Sequence, residues 1–97
     1  MKFEWDESKN QINIEKHGID FEDAKGIFDG PMIVNIDDRR DYPETRLIAF
    51  GWIRHLVAVV VYIEINDDSI RILSARKANK YERKRFEKEI KNRLGSA

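Results

Sequence analysis

The spacing of hydrophobic and polar positions changes along this chain, and the changes divide it into elements. Residues 2–5 alternate and read as a short strand. Asp6 then stands as an N-cap, with Glu7 at the positive end of a helix running through Ile12 and Ile14 to Lys16-His17. Gly18 supplies the left-handed residue that stops it. Asp20 caps a second helix whose buried face is Phe21, Ala24, Ile27 and Phe28, and Asp29-Gly30-Pro31 ends it. From Met32 the pattern turns to strands, at 32–36, 45–53, 56–65 and 69–75. The charged run from Asp37 to Pro43 reads as a loop, and Asn66-Asp67-Asp68 as a turn. The stretch 56–63 is apolar on both faces, which places that strand centrally and predicts Val59, Val60 and Val61 to be buried. Gly51 marks a bulge or a close approach. A last helix begins near Ala78. At about 100° per residue, Phe86, Ile90 and Leu94 form a narrow apolar stripe, with Lys80, Lys84, Lys88 and Lys91 opposite. Arg83 falls on the packed arc between Ile90 and Leu94.

Short links between the strands predict consecutive antiparallel hairpins. The expected fold is therefore α+β: a mainly antiparallel sheet of about four main strands, two helices before it and one after. With 97 residues and 41% hydrophobic composition, a single domain over 1–97 with one modest core is expected.

Composition narrows the chemistry. There is no cysteine, so neither a disulfide nor a thiolate metal site can form. Two histidines far apart in sequence argue against a structural zinc, and no metal or cofactor is expected. The charged start, Met1-Lys2-Phe3-Glu4, is not a signal peptide. The longest apolar run is far short of the ~20 residues that span a bilayer. A cytoplasmic protein with no membrane partner follows.

Net charge is zero, but its distribution is not even. Arg71 to Arg93 carries ten Lys and Arg against three Glu, or +7; the remainder carries eight against fifteen, or −7. An acidic front with a basic tail suits a polyanion or an acidic partner. The plainer reading is a solvated helix face, in which Glu87–Lys91 and Glu89–Arg93 absorb part of the charge. Arg71, Arg76 and Lys77 are the sharper candidates, because a strand and its end can aim them. Arginine offers phosphate a fork of donors, and lysine a compact charge. A cation on the packed arc, such as Arg83, needs a partner or lines a groove. His17 is either a C-terminal helix residue favoured by the dipole or a proton carrier near neutral pH. Tyr81 is either the edge of the core or a ring that stacks on a base. No phosphate loop, serine–histidine–aspartate arrangement or paired metal carboxylates stand out.

Several blocks, in this order and spacing, resemble one family. They are Phe3-Glu4-Trp5-Asp6, Lys16-His17-Gly18, Phe21-Glu22-Asp23-Ala24, Phe28-Asp29 with Pro31, and Ile70-Arg71-Ile72-Leu73-Ser74-Ala75-Arg76-Lys77-Ala78. Across essentially the whole chain they look like the BrnT toxins of type II toxin–antitoxin pairs. The turn at Arg54-His55 departs from the family, which often has a glycine there. The resemblance implies a compact RelE-like α+β fold, ribonuclease activity and a cognate BrnA-type antitoxin. It also implies operator DNA bound only through that antitoxin.

Two function classes follow. The first is a metal-independent endoribonuclease that inhibits translation. RNA supplies its own 2′-OH nucleophile, so the protein needs cations for the developing phosphorane charge and groups that move protons. Arg71, Arg76, Lys77 and Arg83 meet the first need; His17 and Tyr81 are the candidates for the second. The alternative is a non-enzymatic module that binds nucleic acid or an acidic protein through the same cations.

Overall fold

The computed structural model describes residues 1–95. Its elements follow one another as β1 (Lys2–Glu4), α1 (Glu7–His17), α2 (Phe21–Ala24), a 3-10 helix (Lys25–Asp29), β2 (Met32–Asp37), β3 (Arg46–Ile53), β4 (Leu56–Asn66), β5 (Ser69–Lys77) and α3 (Lys80–Gly95). The five strands form one sheet in the order β1-β5-β4-β3-β2. The four long strands are an antiparallel meander, as their short links require. The fifth member is β1, which pairs parallel to the outer edge of β5, with Phe3 against Ile70. The hairpin pattern could not announce that pair, because it joins two ends of the chain.

The helix boundaries are local chemistry. Asp6 accepts the N–H groups of Ser8 and Lys9, at 2.9 and 3.2 Å. Gly18 closes α1 at φ 71°, a conformation that costs glycine little, and its N–H reaches the Ile14 carbonyl at 2.8 Å. The second helix is shorter than its pattern suggests. It tightens after Ala24 into the 3-10 segment, where Gly26 is a weak helix former. Three-residue turns align Phe21, Ala24 and Ile27, and all three are fully buried.

The sheet has two unlike faces. One face carries Ala49, Ile53, Ala58, Val60, Tyr62, Ile70, Ile72 and Ala75, packed against Ile19, Phe21, Ala24 and Ile27. Gly51 belongs here and is a close approach: a Cβ at this position would lie 2.7 Å from the Ile27 side chain. The other face is covered at one end only. There α3 crosses the sheet, from the Ala78 N–H bonded to the Val57 carbonyl, through Phe86 stacked edge-on against Trp52 at 4.8 Å, to Arg93 on the Met32 carbonyl. Phe86 and Ile90 are buried among Val57 and Val59.

Two expectations are corrected by that crossing. Leu94 is 81% exposed, so the apolar stripe ends at Ile90. Arg83 is not on a packed arc: it is exposed and meets Glu87 at 3.5 Å, one turn along the same helix. Val61, expected to be buried, is only half-buried because α3 covers the sheet no further than Val59.

α1 is held unusually. Its buried residues are Asn10 and Asn13, while Ile12 is exposed. Asn13 donates to the Ala75 carbonyl at 2.8 Å and accepts the Ala75 N–H at 3.1 Å. Its amide thus replaces a strand partner where β1 has ended and β5 continues. Asn10 accepts the Phe21 N–H and donates to Asp20, which ties the cap of α2 to α1. No buried side-chain polar atom among the described residues lacks a partner.

Candidate functional site

The uncovered end of the second face is where charged groups collect. Strand alternation puts Arg71 and Arg76 of β5 on this face, since Arg76 pairs with Val59 and Arg71 with Ile63. The same alternation brings Asp37 and Arg46 here, as neighbours on β2 and β3. Half-buried Ile48, Val61 and Ile63 form the floor between them.

Each arginine is held by its own carboxylate. Arg71 donates Nε and Nη2 to Glu4 on β1, at 3.0 and 2.9 Å. Arg76 donates Nη1 and Nη2 to the two oxygens of Glu82, at 2.8 and 2.9 Å. Glu82 also accepts the Asn79 N–H, and Asn79 accepts the Glu82 N–H, so the reciprocal cap that starts α3 fixes this fork as well. The Arg76 fork holds the Glu82 carboxyl below the usual range, and Glu82 in turn raises Arg76. A guanidinium has five N–H donors, and such a fork occupies two. The pairing therefore sets direction while donors remain for a phosphate.

The third fork was not anticipated. The loop after β2, read as a solvated charged run, is tied down at its root. Asp37 has a side chain only 1% exposed and binds Arg39 through both oxygens, at 2.8 Å each. Hydrogen bonding from Arg39 brings the Asp37 carboxyl down to about 2, with a smaller contribution from Tyr42. Arg46 bonds Glu44 at 2.9 Å and stacks its guanidinium 4.0 Å from the Tyr42 ring centre. The charge of Arg39 is near enough to oppose that of Arg76. Alternating charge in a loop gives no hint of which members are buried. The one available signal was Asp37 continuing the alternation of Ile33 and Asn35.

A family model described as the ribonuclease toxin BrnT of type II toxin–antitoxin systems matches residues 5–82. The chain belongs to the BrnT family. The crystal structure of the Brucella abortus ribonuclease toxin BrnT is similar to it, with 28% identity and a TM-score of 0.62, covering 82% of this chain and 99% of that one. No curated protein matches. The family is one of ribonucleases, which makes this chain an endoribonuclease by kinship, and its type II systems pair the toxin with an antitoxin.

Within this BrnT fold the six residues singled out from sequence do not form one cluster. Arg71 and Arg76 share the open face. Lys77 does not: it pairs with Ala58, whose side chain is in the core of the closed face. His17 is exposed at the C-terminal end of α1, beyond the β5 edge that Asn13 seals. Tyr81 is 69% exposed in the first turn of α3, next to Glu82, with Arg85 5.8 Å from its ring centre. Arg83 is exposed one turn from Glu87 and lies just past the matched span. Among the described residues no three His, Asp or Glu side chains gather as a metal site, and no helix is long and apolar enough to cross a membrane.

Proposed function

We propose that this BrnT-family chain is a metal-independent endoribonuclease that cuts cellular RNA in the cytoplasm and inhibits translation until a BrnA-type antitoxin covers the open face. The observation that carries the reading is the pair of carboxylate-aimed guanidiniums, Arg71 and Arg76, on an uncovered sheet face. RNA laid on this face presents phosphate to both. The 2′-oxygen attacks the adjacent phosphorus and loses its proton to a base, the P–O5′ bond breaks, and the leaving oxygen takes up a proton. The products are a 2′,3′-cyclic phosphate and a 5′-hydroxyl. Arg76 and Arg71 stabilise the charge that builds on the phosphorane oxygens. Lys77 and Arg83 flank the face and attract the rest of the strand. Tyr81, beside the Glu82 that holds Arg76, and His17, beyond the β5 edge, are the proton carriers this reading offers. Operator DNA is reached only through the antitoxin.

The test uses the purified toxin on RNA with and without a chelator, and on the same RNA with the 2′-OH at the cut position replaced by hydrogen. Cleavage unaffected by chelation, lost on 2′-deoxy substitution and leaving cyclic phosphate ends is expected. Loss on chelation, or cutting of the deoxy substrate, overturns the mechanism.

A further inference from the structure

The charged loop between β2 and β3 carries a group that the nuclease reading has not used. Arg39 sits in a fork whose carboxylate is almost wholly buried, yet its own side chain is 66% exposed. That asymmetry separates it from an ordinary surface pair. A buried carboxylate without a partner is costly, so Asp37 is committed to Arg39. Arg39 is not fully committed in return: Nε and Nη2 face Asp37, and Nη1 is the remaining nitrogen. The anchor is rigid, because Asp37 closes β2 in register with Arg46, and Arg46 stacks on the Tyr42 ring of the same loop. Across the face, the nearest counterpart is Arg76, whose charge opposes that of Arg39. Two aimed guanidiniums that repel each other across an open, apolar-floored face favour an anion between them. Bridging by one phosphate removes the repulsion and satisfies donors on both sides.

We propose that Arg39 is a phosphate-binding residue of the RNA site, held by Asp37 as its positioning residue, and that it clamps one backbone phosphate against Arg76. This rests on the nuclease reading only for the choice of RNA; the clamp itself follows from the geometry. It places the strand across β3 and β4, between the loop and the start of α3. Arg40, next in the loop and exposed, takes no part.

The test is binding of a 2′-O-methyl oligonucleotide, which the mechanism cannot cut, followed over a salt series, with cleavage of the unmodified RNA measured in parallel. Arg39→Ala should weaken binding ~10-fold or more, as loss of a charge-assisted bond does. It should also make the log–log salt slope shallower by about 0.7, the value for one phosphate contact on a single strand. Arg40→Ala, the same charge loss in the same loop, should leave both unchanged. Arg39→Lys keeps the charge and cannot fork, so it should keep the slope and lose cleavage; Asp37→Asn should do the same. If Asp37→Asn fails to fold by thermal melt, Arg39→Lys carries that arm. Should Arg39→Ala match the wild type in affinity, slope and cutting, or should Arg40→Ala fall as far, the clamp is wrong while the nuclease reading stands. Should the wild type bind the oligonucleotide with the predicted Arg39 dependence and cut nothing, the clamp stands and the nuclease reading falls.

Discussion

The two faces of this sheet are made from the same strands and serve opposite ends. On the closed face, the alternate residues of β3, β4 and β5 are small or branched and meet Phe21, Ala24 and Ile27 with nothing left open. On the other face, α3 contributes only Phe86 and Ile90 to the buried set and crosses at one end. The remaining half carries Arg71, Arg76, Arg46 and the fork at Arg39, each tied to a carboxylate. The closed face stores apolar burial. The open face uses ion pairs that add little stability at the surface but hold cations in place. One β-sheet can do both because strand alternation sends neighbouring residues to independent environments.

Mutations can break that division, and the largest effect belongs to the closed face. Phe21→Ala should cost ~3–5 kcal/mol of unfolding free energy, the usual range for emptying a buried aromatic site. Urea denaturation measures it, and a loss below 1 kcal/mol would show that the second helix is not part of the core. Arg76→Ala should invert the pattern. Its cleavage rate should fall about 100-fold, as when one donor to a developing oxyanion is removed. Its stability should change by about 1 kcal/mol, because the side chain is 40% exposed and solvent screens its bond to Glu82. Equal losses in rate and folded fraction would mean that Arg76 is structural.

Asn13→Ala probes the boundary between the faces. It strips the partner from the Ala75 N–H and from the Ala75 and Ile19 carbonyls, and should cost ~1–3 kcal/mol. Hydrogen exchange at the Ala75 amide should accelerate ahead of its neighbours; an unchanged rate would mean that β5 needs no seal. The smallest effect is expected at the β3–β4 turn, where Arg54 takes φ 57°. Arg54→Gly should relieve left-handed strain and raise stability by less than ~1 kcal/mol, since glycine also loses more entropy on folding. A fall in the thermal midpoint would show that the weak Arg54–Asp23 contact matters more than the backbone.

Sequence by itself determined the elements whose causes are local. The caps at Asp6, Gly18 and Asp20 lie where short-range hydrogen bonding and backbone freedom demand them. The four-strand meander followed from alternation and short links, and β4 is central because residues 57–60 are apolar on both faces. Arg71 and Arg76 could be marked as aimed cations because they sit on a strand. What only tertiary structure decided depends on partners distant in sequence. The parallel seat of β1 beside β5 joins residues 67 positions apart, as Glu4 and Arg71 show. The docking of α1 through Asn13 rather than an isoleucine depends on a strand edge left open 62 residues away. Helical angle alone put Arg83 and Leu94 on the packed side, but it cannot say where the sheet beneath a helix ends. The clamp loop is the same case: seven polar and charged residues read as solvent-facing until the fold buries Asp37 and obliges Arg39 to answer it.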